Sequence, residues 1–67
     1  MNKKGNLYVV LFGTDRYDPE AHLRSARHTF NFLADARRYS RQYSNSGIFK
    51  FHFSADSGDV DWFCEVH

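Results

Sequence analysis

Cysteine and proline are all but missing from this chain: Cys64 and Pro19 are the only ones in 67 residues. A single thiol cannot close an intrachain disulfide, so a reducing, cytoplasmic compartment is the expected setting. Long apolar runs are missing as well. LYVVLF, residues 7–12, falls far short of the ~20 residues that cross a bilayer. It is also too short to act as the apolar core of a secretory signal behind the basic MNKKGN. No membrane association is expected. Metal-ligand spacing is lacking too: His22, His28, His52, His67 and Cys64 form no finger or i,i+4 pair, so no metal or other cofactor is expected.

Aromatic residues are plentiful, at 18%. Chains of this size bury only ~60% of the surface that their unfolded form exposes. Small domains usually compensate with disulfides, a metal or oligomerisation. Without the first two, stability must come from an efficient aromatic core or from a partner.

Residues 1–6 are polar and are expected to fray, leaving 7–67 as a single domain. LYVVLFG, residues 7–13, reads as a strand apolar on both faces, closed by glycine. DPEA, residues 18–21, reads as a helix start, with Asp18 as N-cap, Pro19 at the first helical position and Glu20 at the positive end of the helix dipole. From there to about Gln42 no glycine or proline intervenes. Leu23, Ala26, Phe30, Leu33 and Ala34 share a helical stripe, flanked by Phe32, Ala36, Tyr39 and Tyr43. One long helix over 19–42 is predicted, ended by Asn45 or Gly47 in a left-handed cap.

FKFHF and VDWFCEV, either side of Ser57-Gly58, predict a β-hairpin. A two-residue turn pairs Phe53 with Trp62, Phe51 with Cys64 and Phe49 with Val66 on one face. Lys50 then meets Glu65, and His52 meets Phe63, on the other. In this register Cys64 reads as a buried small hydrophobe.

The predicted fold is therefore α+β, β-α-β-β, one long helix packed on a three-stranded sheet as in one half of a ferredoxin-like fold. Sheet order 1-3-2 is preferred to 1-2-3, because the last strand is the richest in bulky residues. Either order leaves the first strand at an edge, at odds with its being apolar on both faces. Tyr8, Val10 and Phe12 are accordingly the candidate edge for a homodimer, and Phe63 belongs to the same uncovered surface.

Charge is segregated. Residues 21–50 hold Arg24, Arg27, Arg37, Arg38, Arg41 and Lys50 against Asp35 alone, whereas 54–67 hold Asp56, Asp59, Asp61 and Glu65 and no lysine or arginine. A helix of ~36 Å would overshoot strands of ~23 Å. The overhang, ARRYSRQY, offers Arg37, Arg38, Tyr39, Arg41 and Tyr43, residue types that favour protein interfaces and phosphate backbones.

These features favour a small, non-enzymatic protein-interaction module using Arg24, Arg27, Arg37, Arg38, Tyr39, Arg41, Tyr43 and Phe63. In size and character, though not in sequence, such a chain resembles phage- or mobile-element-encoded inhibitors and modulators of host complexes, such as anti-CRISPR proteins and polymerase modulators. The alternative is nucleic-acid binding through the arginine-rich helix face. A third possibility is a small nuclease, since ferredoxin-like nucleases place an acid at the end of their first strand, where Asp15 stands.

Overall fold

The run LYVVLF does form a strand, β1 (Gly5–Phe12). The computed structural model describes residues 5–67, so residues 1–4 of the expected frayed tail lie outside the described residues, and Gly5 and Asn6 open β1. A 3-10 turn over Gly13–Tyr17 leads into a one-turn helix, α1 (Pro19–His22). Two residues, Thr29–Phe30, make β2, and α2 spans Leu33–Ser40. β3 (Ser46–Phe53) and β4 (Val60–Val66) form the hairpin. The fold is α+β, with an antiparallel four-stranded sheet of order β2-β1-β3-β4.

Four expectations are corrected by this arrangement. The sheet has four strands, and its two helices replace the single helix over 19–42. β1 runs antiparallel to β3 over eight residue pairs, so the half-ferredoxin arrangement with its parallel crossover is not formed. The order of the three long strands is 1-2-3 rather than 1-3-2. β1 is also no edge: β3 pairs it on one side, and β2 pairs Tyr8 and Val9 on the other.

Both faces of β1 are covered, and this is why the long helix breaks. Leu7, Val9 and Leu11 join Phe49, Phe51 and Phe53 on one face, against Leu23 and Ala26 from the segment just after α1. Tyr8, Val10 and Phe12 join Ile48 on the other face, against Phe30, Leu33, Ala36 and Tyr39. One straight helix can lie on only one face of a sheet. The chain instead crosses the β1 edge as β2, where the Val10 amide donates to the His28 carbonyl at 3.0 Å, and α2 then settles on the opposite face. The helical stripe is thereby divided, Leu23 and Ala26 serving one cluster and Phe30 and Leu33 the other, while Ala34 is exposed. Phe51 and Val9 are fully enclosed in the first cluster and Ala36 in the second.

Local capping also differs. Asp18 stands at the N-cap of α1 without a side-chain cap bond. Neither Asn45 nor Gly47 is left-handed. The chain after α2 is instead tied by Ser46, whose hydroxyl lies 2.7 Å from the Tyr43 carbonyl and 3.0 Å from that of Ser40.

The hairpin exists, but its register is one residue from the expected one. Phe51 faces Phe63, Lys50 faces Cys64, His52 faces Trp62 and Phe49 faces Glu65, with a bulge at His52/Phe53. The turn is a longer loop, in which the Ser54 amide donates to the Asp59 carbonyl and the Gly58 amide to the Ser54 carbonyl. Gly58 adopts φ 78°, a left-handed conformation that glycine takes at little cost. A one-residue slip exchanges the two faces of a strand. Phe63 and Glu65 of β4 therefore continue the phenylalanine face of β3, and Trp62, Cys64 and Val66 continue the face of Lys50 and His52.

Candidate functional site

The slipped register leaves β4 only thinly buried. Every residue from Asp61 to Glu65 is exposed, and Trp62 and Phe63 keep 45% and 38% of their surface in water. Cys64 is exposed and free, in contrast to the buried position expected for it. β4 is also an outer strand of the sheet: β3 pairs one side of it, and among the described residues no strand pairs the other. Alternate backbone N–H and C=O groups of an edge strand point outward and form a template for a further strand.

The aromatic residues of β4 are fixed in place. Trp62 stacks on His52 with ring centroids 5.2 Å apart and planes 14° from parallel. The Lys50 ammonium lies 5.7 Å from the centre of the Trp62 ring, within cation–π range. On the opposite face Phe63 tilts against the buried Phe51 at 5.2 Å. Such pairs contribute roughly 0.5–1.5 kcal/mol beyond the area they bury, enough to present the rings as an ordered surface. The acidic residues of the hairpin, Asp56, Asp59, Asp61 and Glu65, are all exposed along this edge and its tip.

The arginines do not form one surface. Arg24 and Arg27 lie between α1 and β2, in the segment that covers one sheet face, whereas Arg37, Arg38 and Arg41 belong to α2 and its end over the other. Arg37 donates to the His67 carbonyl at 2.9 Å, and Arg38 pairs with Asp35 at 3.4 Å. The helix that would align Arg24 and Arg27 with Arg38 is broken by β2.

Tyr39 and Tyr43 belong to an aromatic cluster with Phe12, His28 and Phe30 that holds α2 onto β1 and β2. Tyr39 stacks on His28, and its hydroxyl lies 3.2 Å from His28 Nε2. Burial raises the Tyr39 pKa above its usual value, and the neighbouring Tyr43 phenol raises it further. Tyr8 and Phe12 are half-buried and Val10 is buried beneath this cluster, so the three residues expected at a dimer edge lie inside the sheet.

Asp15, in the 3-10 turn after β1, faces His22 at 3.5 Å. The two line a cleft of about 210 Å³ with Ser25, Arg27 and His28. Ser25 donates to the His22 carbonyl rather than to its imidazole, so no nucleophile–base pair forms. Among the described residues, no three His, Cys, Asp or Glu side chains converge as metal ligands.

Of the residues singled out in the sequence, Phe63 belongs to the β4 surface. His52 and Lys50 lie on the outer side in the expected register too, whereas Trp62 and Cys64, assigned there to the packed face, are exposed. A signal existed: Phe63 interrupts the row of Asp61 and Glu65, so the pattern of β4 does not settle which of its faces is packed. No protein-family model, curated protein or solved structure matches the chain.

Proposed function

We propose that the protein is a non-enzymatic interaction module that docks on a larger protein by pairing its β4 edge with an extended segment of that partner. One observation carries this reading: among the described residues β4 is a seven-residue strand paired on one side only, with Trp62 exposed on one face and Phe63 on the other. Edge pairing supplies main-chain hydrogen bonds, and flanking side chains supply selectivity. Exposed aromatics beside such an edge are the usual anchors of protein interfaces. A module that acts by occupying a surface requires no catalytic constellation. This is also how the small phage- and mobile-element-encoded modulators, which the chain resembles in size and character, would act.

The test is affinity capture from a lysate of the cells in which the chain is made. Three forms serve as bait: the wild-type chain, a W62K/F63K double variant, and an Arg37/Arg38/Arg41 triple-alanine variant. The partner should be retained by the wild type and the triple-alanine variant, and lost with W62K/F63K, whose fold is checked by near-ultraviolet circular dichroism. Retention by a folded W62K/F63K variant overturns the assignment to β4.

A further inference from the structure

We propose that the cleft beside the end of β1 binds a small phosphate-type oxyanion, with Arg27 as its principal donor. The cleft exists because β2 is so short. β2 pairs only Tyr8 and Val9 of β1, and next to that pairing the Val10 amide donates to the His28 carbonyl. Beyond this point Val10 and Leu11 are bracketed by the 3-10 turn and by the segment that runs from α1 to β2. A cleft of about 210 Å³ is left there, lined by Asp15 from the turn and by His22, Ser25, Arg27 and His28 from the segment. It shares no residue with β4, so it stands whether or not β4 is the docking edge.

Size limits the ligand. Water occupies ~30 Å³ per molecule in the liquid, so the cleft has room for about seven. That suits a tetrahedral oxyanion with part of its hydration, and it falls below the ~300 Å³ at which pockets for larger organic ligands begin.

Charge selects an anion. Arg27 is the one cation of the cleft that stays charged at every ordinary pH. Among the described residues it has no carboxylate partner, since Asp15 pairs with His22 at 3.5 Å and Asp35 with Arg38 at 3.4 Å. The only carboxylate of the cleft is thus already turned to an imidazole, and the guanidinium is left over. A planar guanidinium donates two parallel N–H bonds to an oxyanion, the strongest kind of hydrogen bond available to it. Further donors stand around it. The Tyr39 hydroxyl, 3.2 Å from His28 Nε2, can donate there and so keep the His28 proton on Nδ1. The Ser25 hydroxyl is exposed and bonds the His22 carbonyl only at 3.3 Å. A tetrahedral ion, with three or four acceptor oxygens, can use several such donors at once, whereas a carboxylate has only two oxygens to offer.

The test is titration of the isotope-labelled chain with inorganic phosphate, methyl phosphate and acetate at neutral pH, followed by backbone amide shifts. We expect saturable shifts centred on Asp15, His22 and residues 25–28, with acetate binding more weakly than inorganic phosphate. Arg27→Gln should weaken phosphate about tenfold, as loss of a charge-assisted hydrogen bond implies. Arg24→Gln removes an equal charge from outside the cleft lining and should change binding less than about twofold, because exposed charges are screened. Asp15→Asn removes the one negative charge of the cleft and should tighten binding about threefold, the effect of a like charge ~6 Å away across water. Amide spectra unchanged away from the cleft show that each variant is folded. Methyl phosphate held as tightly as phosphate assigns the site to a phosphate monoester, and inorganic phosphate held alone assigns it to the free ion. Shifts that never saturate, equal weakening by Arg24→Gln and Arg27→Gln, weaker binding by Asp15→Asn, or acetate held as tightly as phosphate would each overturn the proposal.

Discussion

Trp62 lies flat against His52, ring centroids 5.2 Å apart, across the outermost pair of strands. The indole is ordered by that contact and by Lys50, yet 45% of its surface remains in water. Phe51, two strand positions from Phe49 and Phe53, is wholly enclosed. The two aromatics should therefore differ sharply in their effect on stability. Phe51→Ala should cost roughly 3–5 kcal/mol, the usual result for a buried Phe, which threatens the folding of so small a domain. Trp62→Ala should cost only about 1 kcal/mol, the strength of an exposed stacking contact. Urea denaturation of the two variants makes the comparison, and equal losses would mean that Trp62 is part of the core.

Cys64 gives a chemical check on the same register. Facing Lys50 on an exposed strand, its thiol should react with a disulfide reagent in the native protein as readily as after unfolding. In the register that pairs Cys64 with Phe51, reaction would wait for denaturant.

Ala36 and Ala34 test how α2 lies on the sheet. Ala36 is fully enclosed between Val10 and Ile48, whereas Ala34 is exposed. Ala36→Leu should overpack the contact and cost roughly 1–3 kcal/mol. Ala34→Leu should stay within about 0.5 kcal/mol of wild type, as surface substitutions do. A continuous helix over 19–42 would make Ala34 a core residue and bring a large penalty there.

The Tyr39 phenol links the α2 cluster to pH. Burial, with the Tyr43 phenol beside it, raises its pKa in the folded state. The folded chain therefore holds this proton more tightly than the unfolded chain does. The resulting stability is complete below the unfolded tyrosine pKa of ~10 and is lost as pH rises through the higher folded value. Melting temperatures measured upward from pH 9 should fall less steeply for Tyr39→Phe than for wild type. Parallel slopes would show that Tyr39 carries no such linkage.

Three of the four strands could be read from residue pattern alone. LYVVLF is a buried strand by composition, and FKFHF and VDWFCEV alternate as strands do. The break between α1 and α2 could not be read this way, because Leu23, Ala26, Phe30 and Leu33 fit one helical stripe as well as they fit two opposite sheet faces. The sequence did hold a contrary clue: Tyr8, Val10 and Phe12 alternate with Leu7, Val9 and Leu11, so β1 requires cover on both sides, and one helix cannot provide it. The hairpin register was hidden for a different reason. Trp62 and Phe63 are adjacent, so either register sets one aromatic residue of β4 on the phenylalanine face of β3. The observed register depends on the Ser54–Asp59 loop and the bulge at His52/Phe53, which no residue periodicity encodes. The site followed the register. Phe63, His52 and Lys50 could be recognised as outer-face groups, but Trp62 and Cys64 could not until the strands were aligned.

Amide hydrogen exchange across Val60–Val66, measured on the free chain and on its complex with the captured partner, tests the docking edge most directly. In the free chain, amides of β4 that point away from β3 should exchange at nearly the rate of an open strand, while those paired with β3 are protected. In the complex the outward amides should gain protection, and β1, enclosed between β2 and β3, should change little. If the outward amides of β4 exchange equally fast with and without the partner, the partner does not pair with this edge and the account is wrong.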